Sequence, residues 1–227
     1  MATIVKACLG GTVPPKRSMS PASKTVARKH RTAADPLPEE EKKTFQSIAA
    51  TALYLAGGRL DIQYAVVAVM RGMANPLVEH WLMLCRLASY LHAHPTMVSR
   101  FEYQPMAEEV YCEVDADWAG DPTTRRSTDG GYEFFGSCVV DGWASTQQSV
   151  ALSSGESELY AICNGAARAL WTKGVLEEMG FNIKAVVGSD SSAARGICTR
   201  LGTGRVRHLE ARYLWVQDKC REKKLAC

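Results

Sequence analysis

The feature that most constrains the fold is a change of hydrophobic period near residue 105. From Glu109 to Asp117, Val110, Cys112, Val114 and Ala116 alternate with Glu109, Tyr111, Glu113, Asp115 and Asp117. A period of two places one set on a buried face and the other on the opposite face of a strand. Two further strand-like runs follow, over 131–140 and 142–152, with Asp141-Gly142 between them as a tight-turn signal. A long helix over 154–179, closed by Gly180, a short strand over 185–188 and a helix over 191–201 come next. A basic helix over 207–224 is the last element expected. The order β-β-β-α-β-α-α predicts an α/β domain: a mixed sheet, three strands in a meander plus one parallel strand, with flanking helices.

Before residue 105 the period is helical. Pro38 followed by Glu39, Glu40 and Glu41 opens a helix, with Phe45, Ile48, Ala49, Ala52, Leu53 and Ala56 on its apolar positions and Gly57-Gly58 at its end. Helices over 60–73 and 77–92 follow, separated by Asn75-Pro76. His80, His92 and His94 fall on different turns, as capping or solvated residues do. Residues 1–38 are basic and rich in Pro and Ser, and read as a disordered linker. The Arg- and Ser-containing start also fits a transit peptide, although Pro interrupts it. The expected organisation is a linker over 1–38, a small helical segment over 39–106 and an α/β domain over 107–227.

The eight cysteines include no C-x-x-C pair, which argues against a zinc site and for buried thiols in an intracellular, cytoplasmic or nuclear protein. No apolar run is long enough for a membrane span. Net charge is only +3, but Lys and Arg gather at both ends of the chain, as suits a polyanionic partner or two solvated basic faces.

Three acidic positions stand out. Asp115 lies mid-strand, where Asp is disfavoured, with Glu113 and Asp117 on its face. Ser153-Ser154-Gly155-Glu156 fits a capping box, which accounts for Glu156 but not for Glu158, which lies one turn into the helix. Asp190 follows an apolar strand, where it reads either as a helix N-cap or as a ligand at the carboxyl end of a sheet. Taken singly, each is compatible with a solvated edge. Together they predict a carboxylate cluster, which needs a cation if all three are to ionise. Oxygen donors favour Mg2+ or Mn2+.

These same stretches resemble the ribonuclease H domain of copia-type LTR retrotransposon polyproteins. The resemblance is carried by Val114-Asp115-Ala116-Asp117-Trp118-Ala119-Gly120-Asp121, Arg125-Arg126-Ser127-Thr128, Gly131-Tyr132, Val150-Ala151-Leu152-Ser153-Ser154, Glu156-Ser157-Glu158, Gly188-Ser189-Asp190-Ser191 and Arg207-His208-Leu209-Glu210-Ala211-Arg212-Tyr213. The helical segment is similar to the stretch joining reverse transcriptase to that domain, through Ala52-Leu53-Tyr54-Leu55, Arg59-Leu60-Asp61-Ile62, Asn75-Pro76 and Glu79-His80-Trp81.

The resemblance implies a ribonuclease H-like fold and metal-dependent cutting of the RNA strand of an RNA–DNA hybrid. Asp115, Glu158 and Asp190 would be the catalytic, metal-binding carboxylates. Arg125, Arg126, Arg205, Arg207 and His208 would bind nucleic acid. The partners it implies are the hybrid and the rest of the polyprotein, with no membrane and no small-molecule cofactor. The family's fourth metal-binding carboxylate follows a strand after the last helix. The sequence ends at Leu225-Ala226-Cys227 with no match to it, so a truncated domain with a doubtful second metal site and weak or no activity is expected. No Tyr-x-Asp-Asp is present, so DNA polymerisation is not expected. A non-catalytic nucleic-acid-binding relic and a host-adopted interaction module stay open beside the nuclease.

Overall fold

A computed structural model describes residues 1–10, 18–22, 34–202 and 211–227. The chain divides into two compact units, Met1–Val98 and Ser99–Cys227. The sequence places this boundary eight residues later. It falls earlier because Gln104 is anchored in the second unit: its Nε2 donates to Phe135 O (2.9 Å) and its Oε1 accepts from Ser137 N (2.8 Å).

The first unit holds helices α1 (Ala2–Leu9), α2 (Glu39–Ala56), α3 (Gln63–Met70) and α4 (Val78–Ala93). Their apolar faces meet in one core around Phe45, Ile62, Val66, Leu84, Leu87 and Leu91. Ala2–Leu9 is helical where the sequence suggests linker, because Ile4 is fully buried in this core. The rest of the expected linker lies largely outside the described residues. The helix expected over 60–73 begins instead with a 3₁₀ turn, Leu60–Ile62. There Arg59 and Asp61 form a two-bond ion pair (2.9 and 2.8 Å), and Tyr90 donates to Asp61 (2.9 Å). His80 Nδ1 accepts from Leu77 N (3.0 Å) and so caps α4.

The second unit is a four-stranded mixed sheet of β1 (Glu109–Asp117), β2 (Thr128–Phe135), β3 (Cys138–Thr146) and β4 (Lys184–Gly188), in the order β3-β2-β1-β4. The first three strands run antiparallel and β4 runs parallel to β1. Helices α5 (Ser154–Glu178), α6 (Ser192–Thr199) and α7 (Trp215–Arg221) complete it. Val110, Cys112 and Val114 of β1 are buried against Leu159, Ile162 and Ala166 of α5. Gly165 permits this approach: a Cβ there would meet Val114 Cγ1 at 2.6 Å.

The β2–β3 turn differs from the sequence reading. It is Gly136-Ser137, with Phe135 paired to Cys138 and Gly136 at φ +61°. Glycine at the first turn position suits the twist of a two-residue hairpin. Asp141-Gly142 lies inside β3, next to a register shift between Glu133 and Phe134 of β2, and Asp141 is held there by Arg168 (2.9 Å). The last helix is also shorter than expected. A 3₁₀ turn, Ala211–Tyr213, precedes α7, with Tyr213 stacked on Tyr160 at 3.9 Å. Where the sequence reading has no strand after this helix, Ala226 bridges in parallel to Val186, with Ala226 N donating to Ala185 O (3.0 Å). Among the described residues no helix is long and apolar enough to cross a membrane.

Candidate metal centre

Three elements bring three carboxylates together. Asp115 is on β1, Glu158 is in the first turns of α5, and Asp190 follows the carboxyl end of β4. Because β4 lies parallel to β1, with Glu113 opposite Gly188, Asp190 emerges at the same end of the sheet as Asp115. The packing of α5 on β1 brings Glu158 to that end. One oxygen from each of the three carboxylates lies within 4.8 Å of the others.

The local sequence orients each acid. Ser153 caps α5 by accepting from Glu156 N (3.2 Å). The Glu156 side chain reaches past the expected partner: it accepts from Leu152 N (2.8 Å) and from the Tyr160 hydroxyl. Glu156 is thus engaged in the helix start and Glu158 is not. Glu158 Oε1 accepts from Ala116 N (3.1 Å), and Oε2 accepts from Ser189 Oγ (3.2 Å). The N-cap of α6 is Ser191, which accepts from Ala194 N (3.2 Å), so Asp190 does not serve as the cap.

Among the described residues, the charged neighbours of Glu158, Asp115 and Asp190, add to its charge rather than offset it. Asp115 and Asp190 are exposed and Glu158 is buried. Burial pushes the Glu158 carboxyl up to about 7, the Ala116 N–H and the Ser189 hydroxyl oppose the rise, and the charges of Asp115 and Asp190 add to it. Among the described residues no Lys or Arg is ion-paired with any of the three.

Arg125 and Arg126 are exposed on the loop after β1. Arg205, Arg207 and His208 lie outside the described residues. Three further residues have no site role in the sequence reading. Arg212 donates to Gln148 Oε1 (3.4 Å) and to Ser149 Oγ, and its guanidinium lies 4.9 Å from the Tyr213 ring centroid, which fixes a cation beside the segment leading into α5. Asp129 is a buried carboxylate held by Asn164 (2.7 Å) and Ser145 (3.2 Å), and burial raises its pKa. Trp118 is half exposed on the same loop as Arg125.

No family model matches the chain. It is 27% identical over 178 residues to the retrovirus-related Pol polyprotein from transposon RE2 of Arabidopsis thaliana, covering 77% of this chain. It is 29% identical over 180 residues to that from transposon TNT 1-94 of Nicotiana tabacum, covering 78%. Over most of its length the chain is similar to retrovirus-related Pol polyproteins of plant transposons. It spans only 12% and 13% of the length of these two relatives. Over 115 residues it is also 37% identical to secreted RxLR effector protein 161 of Plasmopara viticola, matching 79% of that protein and 50% of this chain. The Pol polyprotein matches are longer than either unit alone, so the similarity takes in residues from both.

Proposed function

We propose that Ser99–Cys227 is a ribonuclease H-like, metal-dependent nuclease domain of a copia-type Pol polyprotein, which cuts the RNA strand of an RNA–DNA hybrid. The observation that carries this reading is the convergence of Asp115, Glu158 and Asp190 without a cationic partner among the described residues. The donor set fits Mg2+ or Mn2+, which prefer carboxylate oxygens. A divalent ion held there would activate the attacking water and stabilise the leaving oxygen, most effectively as one of two ions about 4 Å apart.

The chain's own residues do the rest. Asp115 and Asp190 present exposed oxygens to the phosphodiester side, while Glu158 is held from behind by the Ala116 N–H and the Ser189 hydroxyl. Arg125, Arg126 and Arg212 supply the positive rim for the phosphate backbones, and contacts to the 2′-OH would separate RNA from DNA.

The test is cleavage of a labelled hybrid by the full chain with Mg2+ or Mn2+. Cleavage by the wild type should be weak, and Asp115→Asn, Glu158→Gln and Asp190→Asn should each abolish it, because the loss of metal-ion stabilisation amounts to several kcal/mol. Glu156→Gln should keep cutting, since its carboxylate serves the helix start. Cleavage that survives Asp115→Asn would refute the site. Hybrid binding without cleavage in either metal would make the domain a non-catalytic nucleic-acid binder, and no binding at low salt would favour an interaction module.

A further inference from the structure

Trp118 stands three residues beyond Asp115, in the turn that leaves β1, with 49% of its surface exposed. Its one hydrogen-bond donor is already satisfied, because Nε1 donates to Ala151 O (3.0 Å). The part displayed to solvent is therefore the apolar ring, held in a fixed orientation. A large aromatic left in water at a preorganised angle beside a polar site suits a ligand with a flat or apolar face.

The surroundings narrow the ligand. The bond to Ala151 ties Trp118 to the segment that enters α5, where Val150 and Leu152 are exposed at 46% and 64%. Leu152 N is in turn held by Glu156, two residues before Glu158. The apolar rim thus shares β1 and α5, two of the three elements that hold the acid cluster. Arg125 and Arg126 are exposed on the same loop as Trp118.

That loop is held against its own backbone preference. Ala119 and Arg125 both adopt left-handed conformations (φ 51° and 59°), which side chains other than glycine rarely take. Ala119 N donates to the fully buried Ser127 Oγ (3.0 Å), Gly120 N to Asp117 O (3.3 Å) and Thr123 N to Asp121 Oδ1 (3.0 Å). Strain maintained by this many bonds keeps Trp118 in one place.

We propose that Trp118 is a substrate-contact residue: its ring packs against a sugar or base of the strand whose phosphate lies at the acid cluster. The inference rests on the nuclease reading and adds a sequence-independent, uncharged contact to the arginine rim. Aromatic contacts of this kind tolerate any base, because every nucleotide offers an apolar face.

The experiment measures hybrid binding by anisotropy and steady-state cleavage for the full chain, over a range of salt. Trp118→Ala should weaken binding and raise KM about tenfold or more, the scale of losing one aromatic contact to a nucleotide. The slope of log affinity against log salt should not change, because no phosphate contact is lost. Arg126→Ala should instead lower that slope by about 1. Trp118→Phe cannot make the bond to Ala151 but keeps an aromatic face, so it should retain most of the affinity. If Trp118→Ala binds like the wild type, or if the Phe variant is as weak as the Ala variant, the contact role is overturned and the indole is a structural tie. Absence of hybrid binding by the wild type at low salt would overturn the nuclease reading itself, and the Trp118 contact with it.

Discussion

The two units each place a carboxylate in a polar cluster, and they treat it in opposite ways. In the helical unit Asp61 meets the buried Arg59 through two bonds and takes a third from Tyr90, while Arg59 also donates to His94 O (3.0 Å). The guanidinium beside Asp61 holds its carboxyl below the usual range. In the sheet unit Glu158 meets Asp115 and Asp190, and its carboxyl is pushed up to about 7. A charge network whose partners are all supplied by the protein is a structural device. One with no cationic partner among the described residues suits, on the nuclease reading, a metal ion.

The largest effect that can break this comparison is on stability. Asp61→Ala leaves Arg59 buried without its counter-charge and should cost about 3–5 kcal/mol. Hydrogen exchange of the α2–α4 amides would report it. Asp115→Asn and Asp190→Asn, measured without metal, should leave stability unchanged or raised, because each removes like-charge repulsion. A comparable loss in both units would erase the distinction.

The pH dependence should also run in opposite directions. Asp61, depressed in the folded state, stabilises above its ordinary pKa, and that contribution is lost as pH falls through its folded value. Glu158 is raised from 4.5 to about 7, so the folded unit binds the extra proton in that window. Without metal, the stability of the second unit should therefore fall as pH rises from 4.5 to about 7 and level off above. Metal must displace that proton, so Mn2+ affinity should drop about tenfold per pH unit below the Glu158 pKa. Flat affinity across this range would show that Glu158 is not a ligand.

Smaller effects sharpen the picture. Ser153→Ala removes the α5 cap and should cost about 1 kcal/mol, measured by denaturant unfolding, with some loss of cleavage as the helix start frays around Glu158. Arg212→Ala should leave stability nearly unchanged and reduce the salt slope of hybrid binding by about 1.

Much of this was legible in the sequence, for reasons tied to particular residues. The alternation over Glu109–Asp117 and the Ser153 cap are local signals, and they position Asp115 and Glu158 within their elements. Asp141-Gly142 misleads because a turn dipeptide also serves a strand irregularity, and the actual turn at Gly136-Ser137 depends on Gln104, more than thirty residues away. Asp129 is not recognisable as a buried acid, since its partners Asn164 and Ser145 come from other elements. Arg212 gains its place through Gln148, Ser149 and the stacking of Tyr213 on Tyr160, contacts between residues distant in sequence. The helix at Ala2–Leu9 has no strong start signal and forms because Ile4 finds the core of the first unit.

The most direct measurement is Mn2+ binding to the full chain by calorimetry at pH 8, with thermal unfolding of the same samples. The wild type should bind Mn2+ and gain thermal stability from it, and Asp115→Asn, Glu158→Gln and Asp190→Asn should each lose both effects while remaining folded. If Asp115→Asn binds Mn2+ as tightly as the wild type, with the same rise in Tm, the three carboxylates are not the metal centre.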